Sequence, residues 1–455
     1  MVQAVEKFLE SMVGYLWGLP TVVLLVGGGI YFTLMLGLIQ IRGLGHAVNV
    51  VKGKYDDPND PGEISHFNAL CTALSATVGL GNIAGVAVAI KMGGPGATFW
   101  MVLAGLIGMA TKYSECTLAV MYREVDSNGR VLGGPMYYIE KGLGPAFKPL
   151  AMFFSVCCVF AAFGAANMFQ SNQVAAIMTS SFGIDPIITG LVLAVLTGVV
   201  IIGGIKRIGA VAGKLVPLMG LSYVVACLAI LLMFLDDVPN AIGQIFSGAF
   251  SGTAATGGFA GAVVAEVLKQ GVRRAAFSNE AGIGSAPIAH AAAKTDEAVR
   301  EGVVALLEPL IDTVLICTMT ALVIGVTGVW TGPLTGVELT AAALDAGVPG
   351  LGSYFIPIAV SLFAYSTMIS WSYYGEQSIN YIFGEKGIIP YKMVFCLAIV
   401  VGAVWKISPV LNFSDSMLAL MIIPNMLAII LLTPKLKEET KSYFKKLDSG
   451  DFDRS

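Results

Sequence analysis

Long apolar runs separated by short polar segments dominate the chain. The hydrocarbon core of a bilayer, about 30 Å thick, needs about 20 apolar residues per helix. Eleven runs approach or exceed that length: 14–40, 66–90, 97–121, 149–180, 186–204, 209–235, 241–267, 302–328, 353–383, 389–405 and 411–433. The pattern predicts an all-α polytopic membrane protein with eleven transmembrane helices.

The composition leaves little room for anything else. Hydrophobic residues make up 56% of the 455 residues and charged residues 13%, against roughly 25% charged in soluble domains. The net charge of −3 and the lack of a dense basic tract argue against a nucleic-acid partner. We find no nucleophile–base spacing, metal-ligand cluster or phosphate loop, so we expect neither an enzyme nor an organic cofactor.

Basic residues indicate how the helices are oriented. If the loop after the first run is cytoplasmic, nearly all of the 27 Lys and Arg residues fall in cytoplasmic segments. We therefore expect a multi-pass protein of the cell (plasma or inner) membrane, with its N-terminus outside and its C-terminus in the cytoplasm. Residues 271–296 are too polar to span, which predicts a short helical or re-entrant element at the cytoplasmic face. Residues 336–345 predict a short outer helix packed over the bundle.

Two glycine-rich motifs occupy matching places in two apolar runs. "SATVGLGNIAG" (75–85) and "SGTAATGGFAG" (251–261) share Ser, Thr, Gly, Ala and Gly in register. Five runs separate them, so the two motifs cross the membrane in opposite directions. This predicts inverted five-helix repeats over 66–235 and 241–433. An extra N-terminal helix with a cytoplasmic linker (1–65) precedes them, and a cytoplasmic tail (434–455) follows.

Clustered glycines allow a helix to unwind within the membrane. Unwound backbone groups cannot face lipid and must line a cavity, which is typical of transporter binding sites. A helix that restarts near Gly81 offers free N–H groups to a carboxylate, and one that ends near Val78 offers carbonyls to a small hard cation such as sodium. The alternative, in which the glycines only permit close helix packing, stays open.

Longer stretches around these motifs resemble a known family. "SATVGLGNIAGVAVAIKMGGPGATFW", "GMATKYSECTLAVMYRE", "GGPMYYIEKGLG" and "RRAAFSNEAGIGSAPIAHAAA" are similar to the alanine/glycine:cation symporters, the sodium:alanine symporter family. The resemblance implies the LeuT-type fold of the amino acid–polyamine–cation superfamily, with a 5+5 inverted-repeat core whose helices 1 and 6 are unwound at mid-membrane. It also implies a small zwitterionic amino acid, alanine or glycine, moved together with Na+.

Two helix breaks would hold the two poles of a zwitterion. We expect its carboxylate at the amides of Gly79, Leu80, Gly81 and Asn82. We expect its ammonium at the carbonyls of Thr256, Gly257, Gly258 and Phe259. Further candidates come from two other helices: Gln170 and Asn167 share one face and either could reach the substrate, and Trp371 could cap the pocket. Interhelical hydrogen bonding and ordinary packing are the respective alternatives.

By resemblance, the sodium site lies between the first core helix and the eighth. Its implied ligands are the carbonyls of Ser75, Val78 and Ala364 and the hydroxyl of Thr367, with Ser366 and Ser370 as competitors for the last position. Oxygen ligands of this kind suit a hard cation. A second, substrate-linked sodium would use Thr77 and Asn82.

Charged residues inside the predicted spans need partners. Lys112 and Glu115 are expected to pair, and Glu308 and Asp312 either pair structurally or carry protons. Ion pairs at an inner gate are a hypothesis for Arg273, Arg274 and Glu280. The three histidines lie near predicted boundaries without ligand spacing, and no function is assigned to them.

The sequence therefore predicts a sodium-coupled symporter that takes up small neutral amino acids by alternating access. Its partners are the amino acid, sodium and membrane lipid, and it works as a single-chain unit. The alternative is a proton- or sodium-coupled carrier of another small solute on the same fold. A channel is less favoured, because channel filters are usually built from symmetric subunits.

Overall fold

The helical character of the chain follows from its apolar runs. A computed structural model describes residues 2–127, 129–251, 260–405 and 408–453. Helices account for most of these residues, because a segment surrounded by lipid must pair its own backbone groups. The described residues include one antiparallel two-stranded hairpin, formed by β1 (Glu124–Val125) and β2 (Val131–Leu132).

The first half of the chain forms twelve α-helices. They are α1 (Val2–Leu16), α2 (Leu19–Met35), α3 (Ile39–Arg42), α4 (Leu44–Val51), α5 (His66–Thr77), α6 (Val86–Gly93), α7 (Ala97–Met121), α8 (Pro135–Tyr137), α9 (Lys148–Phe163), α10 (Phe169–Phe182), α11 (Pro186–Ile201) and α12 (Gly204–Met233). π-Helical turns at Gly81–Gly85, Tyr138–Gly142 and Gly164–Met168 join several of them, and short 3₁₀ turns lie at Pro145–Phe147 and Leu235–Asp237.

The second half has a similar make-up. Its α-helices are α13 (Val238–Ser251), α14 (Ala260–Asn279), α15 (Ala286–His290), α16 (Ala298–Ala305), α17 (Leu307–Pro309), α18 (Thr318–Thr327), α19 (Gly336–Gly347), α20 (Ile356–Phe383), α21 (Ile388–Val404) and α22 (Ser408–Asp448). π-Helical turns lie at Leu310–Cys317 and Leu351–Phe355, and 3₁₀ turns at Val329–Thr331, Glu385–Gly387 and Asp451–Asp453.

Seven continuous helical stretches within the described residues are long and apolar enough to cross a membrane. They are Lys7–Met35, Pro145–Phe182, Gly204–Met233, Ala298–Thr327, Leu351–Phe383, Glu385–Val404 and Val410–Asp448. The bent pair His66–Thr77 and Gly81–Gly93 makes an eighth if it counts as one span. Large apolar side chains on α11, α12 and α21 are mostly exposed, for example Val195 (64%), Leu218 (65%) and Leu397 (63%). Such outward surfaces fit contact with lipid.

Three of the eleven predicted runs fall outside this set. The run 97–121 is α7, which carries Lys112 and Glu115, and the run 186–204 is α11, with only 16 residues. The run 241–267 corresponds, in its described residues, to most of α13 and the start of α14. Within the described residues, length and composition therefore support seven or eight spans, and the predicted count of eleven is not confirmed.

Element boundaries differ from the sequence prediction at both ends. Helix α1 starts well before residue 14, and α22 continues through residues 434–448, which the sequence assigned to a separate tail. The helix predicted over 336–345 is present as α19. Helix α7 packs against α14 and α16, and α20 packs against α5, α9 and α10. These contacts bring the predicted site residues to the middle of the bundle.

Candidate functional site: two helix breaks around a cavity

The helix that begins at His66 is interrupted at the glycine-rich motif. Helix α5 ends at Thr77, Val78 has extended backbone angles, and helical structure resumes near Gly81 with a bend of 50°. The backbone N–H of Gly79 donates to the side-chain oxygen Oδ1 of Asn82 at 2.7 Å. The N–H of Asn82 in turn donates to the carbonyl of Gly79 at 3.2 Å. Asn82 therefore caps the break from within.

The side chain of Asn82 points away from where a substrate was expected. Its Nδ2 donates to Asp312 Oδ1 at 2.7 Å, to the Asp312 carbonyl at 3.0 Å and to Ser278 Oγ at 3.1 Å. Asn82 is fully buried and is not among the residues that line the central cavity. In this structure the Asn82 side chain ties the break to α14 and to the turn at Leu310–Cys317, and the expected contacts of Asn82 with the substrate or a second sodium stay predictions. The Gly79 amide, expected at the carboxylate, is already bonded to Asn82.

A second interruption separates α14 from α15. Glu280 has a positive φ of 56°, and Gly282 and Gly284 both have φ of 88°. A non-glycine residue at positive φ is uncommon, so this backbone is held by its surroundings. The sequence had placed a break at Thr256, Gly257, Gly258 and Phe259, which lie outside the described residues. It had also treated 271–296 as a separate cytoplasmic element, and this is corrected: residues 271–279 complete α14.

The two interrupted helices lie side by side and run in opposite directions. Ile64 exchanges backbone hydrogen bonds with Ala292 and Lys294, at 3.2 and 2.7 Å. A Cβ atom at Gly81 would lie 3.3 Å from the Cα of Ser278. Farther along, a Cβ at Gly93 would lie 3.5 Å from the Cα of Val267. Rising residue numbers in one helix therefore meet falling numbers in the other, and the two breaks face each other.

A cavity of about 670 Å³ opens beside both breaks. Seven of the residues predicted for the site line it: Thr77, Gly79, Leu80, Gly81, Gln170, Thr367 and Trp371. The predicted sodium ligands Ser75, Val78 and Ala364 are buried behind this lining rather than in it. Glu280, from the second break, also reaches the cavity wall.

Gln170 has a free acceptor at the cavity. Its Nε2 donates to the carbonyl of Ala165 at 3.1 Å, whereas its Oε1 is buried and has no hydrogen-bond partner among the described residues. Asn167 instead donates to the carbonyl of Phe395 at 2.8 Å and does not line the cavity. Asn167 Oδ1 is likewise buried without a partner among the described residues, so the two residues differ in that Gln170 lines the cavity and Asn167 makes an interhelical bond.

Trp371 and Glu280 are joined at the cavity wall. The indole Nε1 donates to Glu280 Oε1 at 2.9 Å, and Ser285 Oγ donates to the other carboxylate oxygen. Trp371 also packs edge-on against Tyr374, with ring centroids 5.2 Å apart. Glu280 therefore belongs to the second break and the cavity. The ion pairs within the described residues include none between Glu280 and either Arg273 or Arg274, which corrects the inner-gate hypothesis.

A charged region lies in another part of the same cavity. Arg273 and Arg274 line it together with Asp415 of α22, and both guanidinium groups interact electrostatically with the Asp415 carboxylate. Sequence reasoning did not single out Asp415. The sequence could have indicated it, because an aspartate inside the apolar run 411–433 requires polar surroundings.

The end of α5 meets α20 at the predicted sodium position. The hydroxyl oxygen of Thr367 lies 3.4 Å from the carbonyl oxygen of Ser75 and 3.5 Å from that of Ala76. It donates to the carbonyl of Phe363 at 3.0 Å. These oxygen donors are the type that a hard cation prefers, so the residues present fit Na+.

The competing hydroxyls are arranged differently. Ser366 Oγ bonds to the carbonyls of Phe363 at 2.8 Å and Ser75 at 3.1 Å, and Ser75 Oγ donates to the carbonyl of Ser366 at 2.7 Å. Ser366 therefore holds α5 to α20. Ser370 Oγ is buried without a hydrogen-bond partner in the described part of the chain, so it remains a competitor for the cation.

Lys112 pairs across helices rather than along its own. Its Nζ lies 3.0 Å from Glu308 Oε1, and neither side chain is exposed to solvent. Glu115 instead accepts a hydrogen bond from Asn425 Nδ2 at 2.5 Å. The expected Lys112–Glu115 pair is therefore corrected to Lys112–Glu308.

Comparison with known proteins places the chain in a family. The model of the sodium:alanine symporter family matches residues 2–454. The sodium/alanine symporter AgcS of Methanococcus maripaludis is 47% identical over 443 residues, which cover 96% of this chain and 97% of that protein. The "Probable sodium/glutamine symporter GlnT" of Bacillus subtilis is 37% identical over 451 residues, covering 98% and 93%.

The fold likeness extends to solved structures. The crystal structure of MhsT in complex with L-phenylalanine has a TM-score of 0.55 with this chain at 15% sequence identity, covering 82% of this chain and 89% of that one. This likeness shows the LeuT-type fold alone. The relatives are transporters of the membrane, and the family couples transport to sodium, so the chain is not an enzyme. The chain belongs to the sodium:alanine symporter family.

Proposed function

We propose that the protein is a sodium-coupled symporter that takes up small neutral amino acids, with alanine and glycine as its substrates, by alternating access. The observation that carries the proposal is the pair of antiparallel helix breaks facing each other across one cavity. Breaks of this kind expose backbone dipoles that a zwitterion can satisfy at both ends.

Each pole of the substrate has a matching helix end. The helix that resumes near Gly81 presents its N-terminal end, where the helix dipole favours a carboxylate. Helix α14 presents its C-terminal end at Asn279, where the dipole favours an ammonium, and the Glu280 carboxylate adds negative charge there. The free acceptor of Gln170 and the indole of Trp371 complete the wall. We therefore assign the carboxylate to Leu80 and Gly81 and the ammonium to the Glu280 side.

The cation would bind where α5 ends. The carbonyl oxygens of Ser75 and Val78, the carbonyl of Ala364 and the hydroxyl of Thr367 are the proposed ligands. Support comes from the Thr367–Ser75 approach and from the C-terminal dipole of α5. Sodium at this junction would hold the break in shape and so help to form the adjoining substrate site.

The inverted repeats and eleven crossings are part of the proposal, with one revision. The first helix of the second repeat would be α14 with α15, and α13 would be a separate helix before it. Lys269, Arg273 and Arg274 then lie within this span, and most basic residues still fall on the predicted cytoplasmic side. The N-terminus remains outside and the C-terminus inside in this arrangement.

A carrier of a larger neutral amino acid is the second candidate. The Bacillus subtilis relative is named for glutamine, and alanine would fill only part of a cavity of about 670 Å³. Counterflow in proteoliposomes separates the two, with alanine, glycine, serine and glutamine as competitors. We expect alanine and glycine to compete strongly in sodium, and serine and glutamine weakly. Strong competition by glutamine alone would favour the second candidate, and no counterflow by any amino acid would contradict both.

A further inference from the structure

A buried polar cluster lies apart from the cavity, and none of the proposed transport steps uses it. It joins five titratable side chains, each at most 1% exposed: His66, Lys112, His290, Glu301 and Glu308. Burying this many ionisable groups is costly unless their charges compensate one another. The sequence assigned no function to either histidine.

Two glutamates connect the cluster. One carboxylate oxygen of Glu301 lies 2.5 Å from His290 Nδ1, and the other contacts His66 Nδ1. Glu308 Oε2 lies 3.6 Å from His290 Nε2, and Glu308 Oε1 lies 3.0 Å from Lys112 Nζ. The imidazole of His290 is thus placed between two carboxylates.

The cluster fastens the two broken helices at one end. His66 begins α5 and His290 ends α15, and these two helices pack against each other. Glu301, in α16, bonds to both. Any motion that separates α5 or α15 from α16 must therefore break a bond to Glu301.

The charges require an added proton. Glu301 and Glu308 carry two negative charges when ionised, and Lys112 supplies one positive charge. His66 Nε2 is buried without a hydrogen-bond partner among the described residues, so an imidazolium there would leave an N–H unsatisfied. His290 Nε2 also lacks a hydrogen-bond partner among the described residues, but it lies 3.6 Å from Glu308 Oε2, within ion-pair distance. Because Nδ1 contacts Glu301 and Nε2 faces Glu308, His290 is the better holder of the proton.

Apart from Lys112, no Lys or Arg of the described residues forms an ion pair with Glu301 or Glu308. Glu115 and Glu280 lie close enough to Lys112 to interact with it and add negative charge. Arg123 interacts electrostatically with Glu301, but its guanidinium is bonded to backbone carbonyls, including that of Ala291 at 2.6 Å, rather than to the carboxylate. From α20, the Tyr374 phenol lies near the Glu280 and Glu308 carboxylates and brings no positive charge. The excess of carboxylates remains.

We propose that His290 binds a proton between Glu301 and Glu308, and that this protonated site holds α5 and α15 against α16. Loss of the proton leaves an uncompensated negative charge in the cluster and weakens the hold on both broken helices. The consequence for transport rests on the proposed symport, whereas the proton site itself does not.

Histidine-selective ¹⁵N NMR tests the site directly, because the chain has only three histidines. At pH 7.5 we expect one imidazolium signal, present in wild type, His46→Gln and His66→Gln and absent in His290→Gln. His46 is the matched control: it bonds to Tyr443, and burial followed by the charge of Arg300 lowers its pKa to about 4, so it stays neutral. Three neutral rings at pH 7.5, or an imidazolium that survives in His290→Gln, would overturn the proposal.

Two further measurements complete the test. The first keeps the proposal testable if His290→Gln fails to fold, and the second links the site to transport. Glu308→Gln removes one of the two carboxylates, so its imidazolium signal should disappear at a lower pH than in wild type; an unchanged titration would count against the site. Sodium-driven alanine uptake measured from pH 6 to 9 should lose its pH dependence in His290→Gln and keep it in His46→Gln. A wild-type profile in His290→Gln would overturn the link between the proton and the helices. If no alanine uptake exists at all, the NMR result still stands.

Discussion

The hydroxyl oxygen of Thr367 lies 3.4 Å from the carbonyl oxygen of Ser75. One atom belongs to a side chain of α20 and the other to the last full turn of α5, just before the helix breaks. Two helices distant in sequence therefore bring oxygen donors together beside the cavity wall. This contact is the structural basis for placing the cation at the end of α5.

Replacing Thr367 by alanine should remove the sodium dependence of alanine binding. The substitution deletes the only side-chain oxygen among the four proposed ligands and leaves the protein folded, because the methyl-sized side chain fits the same space. Sodium titrations of alanine binding by the purified variant check this. Thr367→Ser keeps the hydroxyl and should keep sodium activation. Unchanged activation in Thr367→Ala would move the cation elsewhere.

Replacing Gly79 by alanine should weaken sodium activation by a different route. A Cβ at Gly79 would lie 2.9 Å from the Thr367 hydroxyl oxygen, closer than real Cβ atoms come to such neighbours. Thr367 would have to move, and the proposed ligand set would be distorted. Gly85→Ala is the matched control, since the nearest atom to its Cβ is Arg274 Cδ at 3.9 Å. Equal sodium affinity in the two variants would contradict the prediction.

Asn82→Leu should destabilise the protein. The change leaves the Gly79 amide and the partners at Ser278 and Asp312 without their bonds, and a buried polar group left unsatisfied costs about 1–3 kcal/mol. Thermal unfolding in detergent measures the loss. Asn172→Leu, which removes bonds to backbone carbonyls from a half-buried side chain, should cost less. A melting temperature for Asn82→Leu at or above that control would show that Asn82 does not brace the break.

A double-mutant cycle distinguishes the two possible partners of Lys112. Lys112→Met removes the ion-pair partner of Glu308 Oε1 in a buried site, and breaking a buried pair costs about 3–5 kcal/mol. Adding Glu308→Leu should restore part of that stability, whereas adding Glu115→Leu should not. Coupling energies from thermal unfolding of the single and double variants measure the difference. A larger coupling energy between Lys112 and Glu115 than between Lys112 and Glu308 would instead support the Lys112–Glu115 pair expected from the sequence.

Glycine spacing was informative at the first break, whereas the glycine-rich break predicted at 256–259 lies outside the described residues. Three glycines around Leu80 predicted where α5 ends, because glycine is costly in a helix interior. Hydropathy did not predict the break at Glu280, because residues 271–296 were judged too polar to form part of a transmembrane helix. The structure buries those polar residues against other helices, and a window along one sequence cannot register that neighbours provide the partners.

Side-chain direction was the other limit of sequence reasoning. For Asn82 only contacts with the substrate carboxylate or a second sodium were expected, and Lys112 was expected to pair with the acid three residues away. In both cases the partner, Asp312 or Glu308, comes from a segment about 200 residues distant along the chain. Local spacing proposes the nearest partner, whereas packing of distant helices decides the actual one.

Equilibrium binding of radiolabelled alanine to the purified protein, in sodium chloride and in choline chloride at one fixed pH, tests the central proposal most directly. The proposed site predicts saturable binding in sodium that weakens strongly in choline, because the cation orders the end of α5 beside the substrate. Equally tight binding in both salts, or no saturable binding in either, would contradict a sodium-dependent amino-acid site between the two helix breaks.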